Sequence, residues 1–276
     1  MTSAQVTPEP ITATYDDGVA TVTYSRMGLP QRRAYVLVHG IGMGRAVFAR
    51  LAAGLRHSGI VYALDLPGFG DSPCPDEAWT MADFGDLVAR FIEDVVKAGP
   101  EGAVGAGVAG LRGAEDIVLI GHSMGTEVAV ECEVRHPGLL DALVLIAPTV
   151  NLDERRAWRQ IFRMMQDLYD ESPRVLANGV VQYLKANTLW FFTSLNVMMD
   201  HKVEDLLPLI STPTLVMRGS EDWVCPRPWV EDVARRIPGA QYTEAPGRGH
   251  EAMIRSAEPV LGLLESFLPK GVNAVS

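Results

Sequence analysis

The residues best placed for chemistry are Gly121-His122-Ser123-Met124-Gly125. They match G-x-S-x-G and lie between an apolar run at 117–120 and a helix-like segment at 123–135. A serine at such a strand-to-helix turn projects its hydroxyl above the sheet edge. Glycines on either side leave room for neighbouring backbone. The following helix N-terminus adds positive potential where negative charge would develop. Serine is a weak nucleophile until a base takes its proton. Of the six histidines, His250 is the candidate base, because it ends the glycine-rich loop Gly247-Arg248-Gly249-His250 after the last predicted strand. A carboxylate must then orient the imidazole. Asp222 follows the strand predicted at 214–217, at the same sheet edge as Ser123. Glu221 is the competing carboxylate and Asp153 a more distant one, while Asp65 reads as the anchor of its own turn. The chemistry these types would perform is nucleophilic acyl transfer.

Attack on a carbonyl creates an oxyanion that needs preorganised N–H donors. The Met124 N–H is one candidate. The other comes from His39-Gly40-Ile41-Gly42, with Ile41 as donor and Gly42 in reserve. His122 is expected beside the serine, facing the opposite way along the strand. His57, His136 and His201 read as solvated or capping residues. No metal or organic cofactor is required by this chemistry.

The elements that must position these residues are short apolar runs alternating with helical periodicity. A hairpin spans 11–15 and 19–24 around Asp16-Asp17-Gly18. Strands are predicted at 35–38, 60–64, 117–120, 142–146, 214–217 and 241–243. Helices are predicted at 45–58, 80–97, 123–135, 230–237 and 259–268, with Thr80 as N-cap and Asp83 completing a near capping box. Short all-apolar strands between helices indicate an α/β fold with a parallel sheet covered on both faces. From 148 to about 208 the alternation stops. Helical segments at 153–169, 173–187 and 189–199 read there as an insertion. A formal G-x-G-x-x-G at Gly105, Gly107 and Gly110 follows a helix and precedes a strand. That is the wrong context for a dinucleotide turn, so it reads as a linker.

The chain has 276 residues, 47 % of them hydrophobic, and a net charge of −10. An acidic chain without Lys/Arg clusters is a poor nucleic-acid binder. Three distant cysteines, Cys74, Cys132 and Cys225, predict neither a disulfide framework nor a cysteine zinc site. Residues 1–10 lack a charged and apolar leader, and no run is long enough to span a membrane, so the expected compartment is the cytoplasm.

Taken in chain order, the His39-Gly40-Ile41-Gly42 turn, Asp65-Leu66-Pro67-Gly68-Phe69-Gly70-Asp71-Ser72, the serine turn, the acid loop and the histidine loop resemble the α/β-hydrolase fold superfamily over nearly the whole chain. The resemblance implies a mostly parallel eight-stranded sheet flanked by helices, with the hairpin as its first two strands. It also implies a helical cap after the sixth strand: core 1–148 and 208–276, cap 149–207. Ser123 disfavours the aspartate-nucleophile dehalogenases and epoxide hydrolases. Glu251 after the histidine is unlike the hydroxynitrile lyases, and His122 is unlike the carbon–carbon bond hydrolases. The G-G-S-W-G of prolyl aminopeptidases is absent. What remains is similar to carboxylesterases, small lactonases and cofactor-free perhydrolases. The implied activity is a serine hydrolase cleaving carboxylic esters or related acyl bonds of a small apolar substrate. A lactonase, amidase, perhydrolase or slow-turnover ligand receptor is the alternative. Met43, Met124, Trp190, Phe191, Met198 and Trp223 are the expected pocket lining, although cap-to-core packing accounts equally well for the cap residues. Oligomeric state stays open.

Overall fold

A computed structural model describes residues 10–29, 31–99, 113–149, 188–254 and 256–269. The apolar runs become strands. β1 (Ile11–Asp16) and β2 (Thr21–Met27) form the N-terminal hairpin. Its turn is held by Asp17 Oδ1, which accepts from the Val19 and Ala20 N–H groups at 2.8 Å each. Then come β3 (Arg33–Val38), β4 (Ile60–Asp65), β5 (Asp116–His122), β6 (Ala142–Ile146), β7 (Thr214–Gly219) and β8 (Gln241–Ala245). They form one eight-stranded sheet in the order β1-β2-β4-β3-β5-β6-β7-β8. β2 is antiparallel to both neighbours, and all other pairs from β4 to β8 are parallel. Every residue of β3, β4, β6 and β7 is buried, as a sheet covered on both faces demands. The edge strand β1 instead alternates between exposed and half-buried positions over most of its length.

The described helices are α1 (Ala49–Leu55), α2 (Met81–Phe91), α3 (Met124–Arg135), α4 (Thr188–Asp200), α5 (Val203–Leu206), α6 (Arg227–Arg236) and α7 (Glu258–Phe267). The segment predicted as one helix at 80–97 is α2 followed by a π-helical turn, Ile92–Lys97. Its start is a full capping box. Thr80 Oγ1 accepts from the Asp83 N–H at 3.2 Å, and Asp83 Oδ2 accepts from the Thr80 N–H at 2.8 Å. Phe84, Leu87, Val88, Phe91 and Ile92 are fully buried beneath it. Each such side chain contributes about 1.5–3 kcal/mol on leaving water. α3 is the central helix, with every residue from Met124 to Glu133 buried.

The insertion lies between β6 and β7. Of its predicted helices, those at 153–169 and 173–187 fall outside the described residues, as do Asp153 and Gly105, Gly107 and Gly110. The third is α4, which docks on the core. Trp190 Nε1 donates to the Pro67 carbonyl at 3.1 Å, and the Phe191 ring abuts Gly42. Just past α4, His201 Nε2 lies 3.5 Å from Glu131 Oε1 on α3. No described helix is long and apolar enough to cross a membrane.

Candidate active site

Ser123 is the hinge between β5 and α3, with φ 53° and ψ −124°. A non-glycine residue there stores roughly 1–3 kcal/mol of strain, which the surroundings must hold in place. Here they do so through three hydrogen bonds. The Ser123 N–H donates to the Ile146 carbonyl at 3.0 Å, at the end of β6. The Ser123 carbonyl accepts from the Thr126 N–H at 2.8 Å and from Thr126 Oγ1 at 2.7 Å. A methyl group at Gly121 would collide with the Gly125 carbonyl, and one at Gly125 with the Val38 carbonyl. The two glycines of the motif therefore allow β5, α3 and the end of β3 to meet.

From this turn a line of hydrogen bonds runs inward. Ser123 Oγ is 3.0 Å from His250 Nε2, and His250 Nδ1 is 3.1 Å from Asp222 Oδ2. The three residues come from the ends of β5, β7 and β8, and all are buried. Asp222 Oδ1 is taken by the Val224 and Cys225 N–H groups, at 2.8 Å each. Burial alone would raise the Asp222 pKa, but His250 and these donors hold it below the usual carboxylate range. Burial alone would lower that of His250, yet the Asp222 carboxylate lifts it well above the ordinary histidine value. Glu221 is exposed, and its N–H donates to the Arg248 carbonyl. It has no place in the line.

The His39 loop lies against the serine: a methyl group at Gly40 would sit 2.9 Å from Ser123 Cβ. His39 Nε2 accepts from the Leu66 N–H at 3.0 Å, so Nδ1 carries the proton and donates to the Gly40 carbonyl at 2.7 Å. With the Gly40 C=O turned towards that ring, a trans peptide directs the Ile41 N–H the opposite way. His122 differs from expectation. Rather than pointing away along the strand, its ring reaches the histidine loop, where Nε2 donates to the His250 carbonyl at 3.0 Å. The loop after β8 folds behind the end of β5 and meets it there. Burial, then the neighbouring His250, pushes the His122 pKa down to about 3, so the ring is neutral.

The expected lining residues have different surroundings. Phe191 packs on Gly42 of the His39 loop, and Met43 is half-buried on that loop. Met124 is fully buried at the start of α3. Trp190 is committed to Pro67, Met198 is buried with its sulfur 3.9 Å from Thr149 Oγ1, and Trp223 is 64 % exposed. Asp65 anchors its own turn, accepting from the Arg45 N–H at 2.5 Å and the Asp71 N–H at 2.8 Å, with the Arg45 guanidinium alongside.

The family model described as the alpha/beta hydrolase family matches residues 35–262. The chain belongs to this family. Its relatives include a pimeloyl-[acyl-carrier protein] methyl ester esterase of Vibrio campbellii, 25 % identical over 75 % of this chain and 83 % of that protein. Among solved structures, a thermophilic esterase from Thermogutta terrifontis superposes with a TM-score of 0.72 at 23 % identity, covering 94 % of this chain and 97 % of the other. The esterase EaEST from Exiguobacterium antarcticum gives 0.73 at 19 % identity, covering 90 % and 95 %.

Two parts of this alpha/beta hydrolase's site were not singled out from sequence. Arg218, at the end of β7, is buried and clamps the acid loop from beneath. Its Nε donates to the Cys225 carbonyl at 2.9 Å and one terminal nitrogen to the Asp222 carbonyl at 2.7 Å. The other terminal nitrogen pairs with Glu244 at 2.6 Å. The second is Cys225, whose thiol donates to the Ala147 carbonyl at 3.3 Å and lies 3.7 Å from His250 Nδ1. Burial pushes its pKa up to about 11, so it is a protonated thiol. The one sequence signal for Arg218 was a charged residue ending an otherwise apolar strand.

Proposed function

We propose that this hydrolase cleaves carboxylic esters, or closely related acyl bonds, of a small apolar substrate through an acyl-enzyme on Ser123. The observation that carries the reading is the unbroken line Ser123–His250–Asp222 at one sheet edge. In it, His250 Nε2 takes the Ser123 proton as Oγ attacks the carbonyl. Asp222 holds the proton on Nδ1 and offsets the imidazolium charge. The Met124 and Ile41 N–H groups receive the oxyanion, and the His39–Gly40 hydrogen bond supports the second of these. His250 then returns the proton to the leaving alcohol, and a water repeats the cycle on the acyl-enzyme. Of the cap assigned to residues 149–207, the described helix α4 reaches this edge, where Phe191, packed on Gly42, and half-buried Met43 supply an apolar wall beside the His39 loop. The methyl ester esterase name of the Vibrio campbellii relative supports ester hydrolysis.

The test is a substrate panel of alkyl esters, aryl esters, lactones and amides, together with a serine-directed fluorophosphonate. The expected result is turnover of short esters and one covalent label, on Ser123. Ser123→Ala loses both while keeping its thermal unfolding profile. Lactone or amide turnover exceeding ester turnover moves the substrate class. Turnover orders of magnitude below ordinary enzyme values points to a ligand receptor instead. Retained turnover in Ser123→Ala overturns the mechanism.

A further inference from the structure

We propose that Asp222, Cys225 and His250 form a site for a zinc-class divalent cation, and that its occupation switches the hydrolase off. This rests on the reading of the site above, but uses the side of the imidazole facing away from Ser123. Among the described residues these three bring one ligand atom each to within 4.8 Å of one another, all buried. His250 Nδ1 is 3.1 Å from Asp222 Oδ2 and 3.7 Å from Cys225 Sγ. A tetrahedral zinc bound at ordinary lengths spaces nitrogen, oxygen and sulfur neighbours about 3.4–3.6 Å apart. Both separations from His250 Nδ1 are therefore within a few tenths of an ångström of those in a ligand set, and Asp222 and Cys225 bring their ligand atoms to within 4.8 Å of each other. The carboxylate is already oriented for it, since Oδ1 is held by two backbone N–H groups and Oδ2 faces the cluster.

Three further considerations favour the cation. The donors are one thiolate, one imidazole and one carboxylate, a mixture suited to zinc rather than to magnesium or calcium. The charge balances, because a thiolate and a carboxylate neutralise a divalent ion, and a buried site accepts a neutral complex far more readily than a net charge. The protons balance as well. Cys225 releases one to solvent, and His250 keeps one, which moves from Nδ1 to Nε2. That move carries the functional consequence. With the metal on Nδ1, Nε2 presents an N–H to Ser123 Oγ and has no lone pair to accept its proton. Entry requires the loop at 247–250 to open, because all three ligands are buried, so inhibition sets in slowly.

The experiment uses the purified full chain with two probes, cobalt(II) for spectroscopy and zinc sulfate for activity. The expected result is a thiolate-to-cobalt charge-transfer band, together with a slow loss of ester turnover of about tenfold or more that EDTA reverses. Ser123→Ala keeps the band. Cys225→Ala loses it and needs about a hundredfold more zinc for the same inhibition. Should Cys225→Ala fail to fold, Cys225→Ser gives the same comparison. Absence of the band in the unaltered chain, or equal zinc sensitivity in the cysteine variants, overturns the proposal. Ester turnover without the band removes the metal site and leaves the proposed function standing. The band without any ester turnover supports the site and removes the function.

Discussion

Replacing Asp222 by Asn tests the tautomer argument directly. The new carboxamide has one oxygen and one NH2, and the structure determines which faces His250. At the Oδ1 position two backbone donors, the Val224 and Cys225 N–H groups, each approach to 2.8 Å. An NH2 placed there would lose two hydrogen bonds, at about 1 kcal/mol each, and strand two buried donors at about 1–3 kcal/mol each. The oxygen therefore stays on the backbone and the NH2 turns to His250 Nδ1. A donor facing Nδ1 selects the imidazole tautomer with its proton on Nε2, pointing at Ser123 Oγ 3.0 Å away. The base is lost and so is the carboxylate that offsets the imidazolium. Together these cost about 10⁴ in kcat, or roughly 5.5 kcal/mol at the transition state. The assay is kcat and KM with a short ester, beside the labelling rate of a fluorophosphonate, which needs the same base. Both rates are expected to fall together with KM nearly unchanged, while Glu221→Gln, an exposed change, leaves both within about twofold. Asp222→Asn retaining a tenth of the activity, or Glu221→Gln losing it, would refute the reasoning.

Other outcomes follow from the same geometry. In the proposed mechanism turnover requires His250 unprotonated, and Asp222 raises its pKa above the ordinary value, so kcat/KM is expected to rise with pH along an acid limb lying above about 6.5. A limb at or below that pH would contradict the pairing. Arg218→Lys cannot serve the Asp222 and Cys225 carbonyls and Glu244 from one fork. It should lower kcat by up to about a hundredfold through misplacement of the acid loop, with little change in KM; steady-state kinetics decide this. Gly68 has φ +82° and lies against the Trp190 indole, so Gly68→Ala adds about 1–2 kcal/mol of backbone strain and displaces the Trp190–Pro67 hydrogen bond. Calorimetry should show Tm lower by about 4–8 °C; an unchanged Tm would contradict both the left-handed backbone at Gly68 and the seating of Trp190 against it.

What was legible in the sequence was whatever local pattern and chain order encode. The strands were visible because a covered parallel sheet needs short runs that are apolar on both faces, as in β3 and β6. The capping box was visible because Thr80 and Asp83 are three residues apart. Ser123, Asp222 and His250 could be nominated because each follows a predicted strand, and successive parallel strands deliver their carboxyl ends to one edge. Pairings across long stretches of chain were not visible. Nothing local predicts that Cys225 reaches His250 and Ala147, that Arg218 grips the acid loop, or that the His122 ring meets the His250 carbonyl. The apolar residues of α4 show the same limit. Trp190, Phe191 and Met198 have identical credentials as core or as pocket lining, because burial rewards an apolar side chain whatever covers it. Composition, period and order along the chain thus decided the family of architecture and the candidate residues. Only the tertiary structure decided which atoms face one another, because hydrogen-bond geometry depends on tenths of an ångström that residue spacing does not carry.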